Sequence, residues 1–431
     1  MSKHRDAVLI FDGVLKHHEI ANWMLERRGP SHRMVLIETT LRWMGDDRAA
    51  RLRDTETLRE PMRFDIDALD EAELTQLVAL LDSTGLWGES AGKSKDRKLA
   101  DLKEKFESRL RSLLLSFIKS PFVQKLVRDE LSASCTSESH KKMLAIAFVL
   151  SSFDIQLPKS ETEALTRLDA KVLSNVLKDS RINWLLEAGE RGILSKSICV
   201  GEYFLRQFCD PAYVKTILVD LNYESARLRR LSYGMDQLFK QLGRFHAVQK
   251  LLPAVEDAGN AIMEAYFDEI KDFGPRRYQP LYWMHYSMVY IFSRKWERAK
   301  QCMETSRSLA KQQRFDAFQI ETQHARYLLD CVLDIQPDVD VAYQAFAESK
   351  RIIDHMIATA SNQHYPYRVA ERYGTFYVQY QSVLTQLQRN TVISSIKRTL
   401  ESLERLPKEV ATHPDVKRCK DRLTEIQKIT A

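Results

Sequence analysis

At 431 residues the chain is long enough to hold two to four domains. An apolar share of 44% and a charged share of 29% are ordinary for a globular protein, while 14 glycines and 12 prolines are too few for an all-β protein or for long disordered linkers. The net charge of +6 is small for this length, and Lys and Arg are interleaved with Asp and Glu almost throughout, so the surface reads as solvated helix rather than as a nucleic-acid-binding field.

The chain opens Met1-Ser-Lys-His-Arg-Asp and runs into only five apolar residues, too few for a signal peptide. Ala7-Val-Leu-Ile-Phe-Asp-Gly13 predicts a buried strand over 7–12 that ends in Asp12. A second apolar run, Met34 to Ile37, predicts a strand over 34–38 that ends Glu38-Thr39-Thr40. Between them His17 to Arg28 carries Ile20, Trp23, Met24 and Leu25 on one side of a helix. Strand, helix and strand in this order form one βαβ unit, which cannot cover both faces of its own sheet and needs further strands. Polar residues at the C-terminal ends of such strands sit where α/β folds bind ligands. In nucleotide-hydrolysing P-loop proteins an Asp in the place of Asp12 holds Mg²⁺ beside the phosphates, and a polar sensor in the place of Thr39 or Thr40 touches the γ-phosphate or the attacking water. Arg42 stands where it would reach phosphate or lie on the surface. Two features oppose hydrolysis by this stretch: only six residues precede the strand, leaving no room for a phosphate loop, and Gly13 stands where an acidic base is expected.

Residues 65–130 read as helical. Leu69 to Asp82 is amphipathic, a polar loop follows, and Lys98 to Ile118 is a second helical run ended near Pro121. The loop Gly88-Glu-Ser-Ala-Gly92-Lys93-Ser94 imitates a phosphate loop, but it has one residue too few between its glycines and follows a helix. Residues 140–209 read as a helical domain with a hairpin. His140 to Ser151 is an apolar helix, Ala164 to Leu177 holds two shorter ones, and Gly189 and Gly192 separate two short apolar runs. This order resembles a winged helix. Its candidate recognition helix, Asp169 to Asp179, has only Lys171 and Lys178 as cations, so a packing role is favoured over DNA reading.

From about residue 215 the chain is helix after helix. Three short turns precede a small alanine, at Ala247, Ala299 and Ala342. Around the middle one, Trp283, Tyr286, Tyr290, Ala299 and Met303 follow the large and small pattern of tetratricopeptide repeats. The alanine spacings are 52 and 43, longer than the regular repeat of about 34, so a degenerate helical-repeat solenoid is expected.

Other chemistry is sparse. The six cysteines form no Cys-x-x-Cys pair, which fits reduced thiols in the cytoplasm. His17-His18-Glu19 reads as a solvated helix start, because adjacent His residues diverge on a helix, and His246 reads as structural. No nucleophile elbow, His-Glu-x-x-His or Cys-His pair is found, and no apolar stretch reaches the roughly 20 residues needed to span a membrane.

Val8 to Trp43, with Asp12 and Glu38-Thr-Thr-Leu-Arg-Trp closing its strands, resembles the second half of the ATPase core of STAND-type P-loop proteins, bacterial antiphage members in particular. Phe64-Asp-Ile-Asp-Ala-Leu-Asp-Glu-Ala-Glu-Leu and Leu80-Leu-Asp-Ser-Thr-Gly resemble their helical lid, Ile198-Cys-Val-Gly-Glu-Tyr-Phe-Leu the end of their winged helix, and Ile320-Glu-Thr-Gln-His-Ala-Arg-Tyr-Leu-Leu-Asp a helix of their C-terminal repeats. The resemblance implies a mainly α fold in four parts: a partial α/β NTPase core over 1–60, a helical lid over 61–135, a winged helix over 136–212 and TPR-like repeats over 213–431. It implies a cytoplasmic sensor that recognises a protein ligand, often a phage protein, and drives oligomerisation. Asp12 would be the Mg²⁺-side acid, Thr39 or Thr40 the sensor, and Arg109 a lid arginine. ATP or ADP with Mg²⁺ would bind only if another segment or a complementing chain supplied the phosphate loop. Two rivals make separate predictions. A pure helical-repeat scaffold binds no labelled ATP even with an upstream region restored, and a winged-helix regulator binds DNA with steep salt dependence.

Overall fold

The computed structural model describes residues 8–12, 23–24, 33–37, 68–87, 90–110, 113, 121–189, 192–252, 256–359 and 364–430. They are mainly α-helical, as the sequence predicts. No helix among them is long and apolar enough to cross a membrane. The chain forms two compact units, residues 1–80 with 94–111 and residues 81–93 with 112–431.

In the first unit β1 (Val8–Asp12) pairs in parallel with β2 (Arg33–Ile37), Val8 lying opposite Arg33 and Asp12 opposite Ile37. This is the pairing a βαβ unit requires, with β2 one residue earlier than its apolar run suggested. Trp23 and Met24 are helical, and the rest of the helix expected over 17–28 lies outside the described residues, as does His17-His18-Glu19. Helix α1 (Glu71–Thr84) is started by reciprocal bonds: the Glu73 N–H donates to Asp70 Oδ1 and the Asp70 N–H to Glu73 Oε2, both at 2.8 Å. Ser94 caps α2 (Lys95–Phe106) by accepting the Arg97 N–H. The helical run expected over 98–118 is interrupted here. Glu107 and Ser108 both take left-handed backbone angles, φ 52° and 56°, and Arg109 then bridges antiparallel to Ala68. Two successive left-handed residues cannot continue a right-handed helix.

In the second unit, α3 (Pro121–Ser134) starts at the proline, whose missing N–H costs nothing in a first turn. Ser137 and Asp169 cap α4 (Glu138–Ser152) and α6 (Ala170–Lys178), with α5 (Lys159–Thr166) between them. β3 (Leu186–Gly189) and β4 (Gly192–Ser195) form the expected antiparallel hairpin, Gly189 opposite Gly192. Helices followed by a hairpin are thus present over this stretch. Helix α7 (Ile198–Tyr203) runs into a wider π turn, Phe204–Phe208.

Helix pairs follow. Asp210 caps α8 (Pro211–Leu228), and Ser232 caps its neighbour α9 (Tyr233–Leu242). After α10 (Phe245–Leu251), α11 (Glu256–Ile270) and the single turn α12 (Gly274–Arg277) come two long hairpins. The first is α13 (Pro280–Phe292) with α14 (Trp296–Gln312), and the second α15 (Phe318–Ile335) with α16 (Val339–Thr359). Both turns are three residues long and contain one left-handed residue, Arg294 at φ 55° and Gln336 at φ 53°. Partners joined by so short a turn run antiparallel. The chain ends in α17 (Tyr365–Ala370), α18 (Arg372–Tyr380), α19 (Gln386–Glu404), α20 (Lys408–Ala411) and α21 (Pro414–Thr430).

The buried alanines explain the pairing. Ala299 and Ala342 are wholly buried, letting the facing helices approach, and Tyr286, Tyr290 and Met303 fill the first hairpin. Two of the anchors expected from the repeat pattern shift. Ala247 is half-buried, its place in the core taken by Phe245, Val248 and Leu251, and Trp283 is half-buried beside the core residue Tyr282. One apolar core runs from Leu131 to Tyr327, and a second joins Ala325 to Ile426. No disulfide joins any of the six cysteines, and burial pushes the Cys135 thiol up to about 11 and the Cys209 and Cys302 thiols up to about 12.

Candidate functional site

The residues singled out in the sequence do not converge among the described residues. Asp12 closes β1 with its Cα opposite that of Ile37, two residues before Thr39. Thr39, Thr40 and Arg42 lie outside the described residues. Arg109 is half-exposed, with its Nε 3.9 Å from Glu107 Oε2. Gly92 lies in a turn, and a Cβ added there would meet nothing within 4 Å. This is the surface loop its spacing suggested.

A concave site appears instead on the helical repeats. A groove of about 600 Å³ is walled by α10, α13 and α15, with Arg294 and Trp296 at its rim. Phe245, Met288, Ile291, Phe292 and Leu333 give it an apolar floor. Its polar side is a charge ladder along α15. Asp330 accepts from Arg326 Nε at 3.0 Å and also from the guanidinium of Arg372 on α18. One turn on, Asp334 accepts from Trp296 Nε1 at 2.8 Å and pairs with Arg294 at 3.1 Å. Three arginines therefore share two carboxylates. A carboxylate between two guanidiniums leaves one positive charge unmatched, in a place where burial weakens screening by water.

The histidines report that field. Burial of its ring, then the charges of Arg368, Arg326 and Lys250, hold the His246 imidazole below its ordinary value, although the residue as a whole is exposed. His246 is thus part of the groove wall as well as of the turn that the sequence assigned to it. The Gln323 side-chain amide nitrogen, also on the wall, is sealed from water and has no acceptor.

His285, on α13, and His324, on α15, have sealed and unpartnered Nδ1 atoms. Burial, then Arg244, His246 and Arg276, brings His285 down to about 3, and burial, then Arg307, brings His324 down to about 4. Both stay neutral in the fold at pH values where the unfolded chain, with an imidazole near its ordinary value of about 6.5, already takes up protons. Stability contributed by the neutral rings is therefore complete above about pH 6.5 and lost as pH falls toward 4. Denaturant titrations at neutral pH and near pH 4 should show a fall of several kcal/mol, on the order of 5, most of it removed by the double substitution His285→Gln, His324→Gln.

Sequence reasoning did not find this groove, although two of the stretches it singled out supply part of the wall. Arg326 and Asp330 fall in the run from Ile320 to Asp330, and Arg294 and Trp296 fall in the turn before Ala299.

No family model matches the chain, and no curated protein matches it. Among solved structures, a Signal Transduction ATPase with Numerous Domains (STAND) protein with a tetratricopeptide repeat sensor, from Pyrococcus horikoshii, aligns at 12% identity over 99% of this chain and 63% of that one. The TM-score is 0.25. The chain spans about 63% of the length of that protein.

Proposed function

We propose that this chain is the regulatory part of a STAND-like NTPase and that its helical repeats recognise a protein ligand in the groove between α10, α13 and α15. The observation that carries this reading is the groove itself: an apolar floor and an unmatched arginine charge in one concavity. Such a site favours an extended segment with carboxylates and one large apolar side chain. Half-exposed Phe292 in the floor suits an aromatic anchor of that segment.

The sequence resemblance adds the finer parts of the proposal. The ligand would be a foreign protein such as a phage component. The residues over 136–212 would act as a winged-helix packing module, and β1 and β2 would be the back half of a nucleotide pocket. Asp12 would then sit on the Mg²⁺ side with Thr39 and Thr40 near the γ-phosphate, the phosphate loop coming from another segment or chain. The parallel pairing of β1 with β2 is compatible with that arrangement.

The groove is tested with two labelled peptides, one rich in Glu and Asp around a single Trp and one with Lys and Arg in the acidic places. Fluorescence anisotropy should show saturable binding of the acidic peptide alone, weaker in high salt. Arg326→Gln should weaken it about tenfold, because one charge-assisted contact is lost while Arg372 still holds Asp330. Equal binding of both peptides, or of neither, removes the groove as the recognition site.

A further inference from the structure

Away from the groove, three side chains with metal-ligating chemistry meet at the C-terminal end of the chain. His364 immediately precedes α17, His413 immediately precedes α21, and Asp415 is the second residue of α21. Helices α17 and α21 pack on each other, which brings their starts together. The two imidazole rings stack with centroids 3.7 Å apart and 20° between their planes. One nitrogen from each ring and one oxygen of Asp415 all lie within 4.8 Å of one another, and all three residues are half-buried.

The hydrogen bonds fix how His413 and Asp415 are turned. His413 Nδ1 accepts the Asp415 backbone N–H at 3.2 Å, so it carries no proton in that arrangement. The same Nδ1 lies 3.8 Å from Asp415 Oδ2, while Asp415 Oδ1 accepts from Arg418. The single lone pair of Nδ1 is thus held by a backbone proton, and a cation bound through this nitrogen displaces that hydrogen bond while finding Asp415 Oδ2 already beside it.

We propose that His364, His413 and Asp415 bind one zinc ion, which clips the start of α17 to the start of α21. Two imidazole nitrogens and one carboxylate oxygen are a borderline-soft donor set, suited to zinc and poor for Mg²⁺ or Ca²⁺, which take oxygen ligands. Three protein ligands leave the fourth tetrahedral position to water. Ligand atoms around tetrahedral zinc stand about 3.3 Å apart, so separations of up to 4.8 Å close by at most about 1.5 Å. The stacked rings must also swing apart for their in-plane lone pairs to converge, a turn that the broad terminal imidazole torsions allow. Arg418 keeps the carboxylate oriented through its other oxygen, as partners outside a metal's ligand shell do.

The test uses the full chain without a histidine tag, stripped with a chelator and titrated with zinc chloride in a calorimeter. One equivalent should bind saturably and raise the melting temperature, and cobalt in its place should give the visible absorption of a tetrahedral site. His413→Gln and Asp415→Asn should each weaken zinc at least about tenfold while leaving the metal-free melting curve and circular dichroism unchanged. His364→Ala should abolish the one-equivalent site. Absence of saturable binding, or undiminished affinity in these variants, overturns the proposal. Undiminished affinity would send the ion to other residues.

Discussion

Replacing Asn222 with leucine should lower the unfolding free energy by about 3 kcal/mol, although no charge is removed and the volume is nearly kept. Asn222 lies wholly buried on α8, and its Oδ1 accepts from both Arg276 Nε at 3.0 Å and Arg276 Nη2 at 2.8 Å. Arg276 is 2% exposed and has no carboxylate among its hydrogen-bond partners. Its remaining bonds go to the Phe239 carbonyl and to Gln279 Oε1, and its guanidinium lies 3.6 Å over the Phe239 ring. Burial brings its pKa down to about 10, so it is charged at neutral pH and depends on these dipoles. The Phe239 carbonyl is in the last turn of α9, one of the groups a helix end leaves without a partner. Arg276 therefore caps that helix and sets a positive charge at its negative end. Leucine at 222 leaves Nε without an acceptor in an apolar core. Adding Arg276→Met should recover at least about 1 kcal/mol, because the stranded cation is then gone. Urea unfolding of the two single variants and the double variant measures the coupling. Additive losses would mean that Asn222 and Arg276 do not support each other.

This cap shows why part of the fold was illegible in the sequence. Nothing local in Gly274-Pro-Arg-Arg marks one arginine as buried. Its acceptor lies 54 residues away in the chain. What was legible rested on short-range signals: apolar periodicity for the long helices, Gly189 and Gly192 for the hairpin, and the alanines at 299 and 342 for close helix approach. The helical run through 107–109 was misread because Glu107 and Ser108 are ordinary helix residues, and their left-handed angles answer to the bridge between Ala68 and Arg109. The groove is harder still. Each wall helix carries a few polar residues that would be solvated if alone. Only the stacking of α10, α13 and α15 makes Phe245, His246 and Arg326 neighbours, and only α18 brings the second guanidinium to Asp330.

Gly192→Ala should be more damaging than any other single methyl added to the hairpin, with a loss of about 4 kcal/mol. Gly192 has φ 119°, a region L-residues rarely enter, and a Cβ there would stand 2.0 Å from the Leu157 carbonyl oxygen. A flexible side chain could swing away, but a backbone carbonyl moves only with its chain. Leu157 is itself buried, and its Cδ2 would stand 2.4 Å from a Cβ added at Gly234, in the first turn of α9. One leucine thus sits in two glycine notches, its backbone against the hairpin and its side chain against the first helix hairpin of the repeats. This is how the core continues unbroken from the hairpin region into the helix pairs. The two notches should differ in cost. Gly234→Ala meets the far end of a flexible side chain rather than backbone, so it should cost about 1–2 kcal/mol. Measured in a Leu157→Ala background, Gly234→Ala should cost less than in the parent chain, since the clashing Cδ2 is gone. Gly192→Ala should cost as much in that background as in the parent, because the obstructing atom is the carbonyl oxygen that every residue keeps. Thermal melts of the three single and two double variants separate the two cases, and an equal reduction at both glycines would contradict the packing described for Leu157.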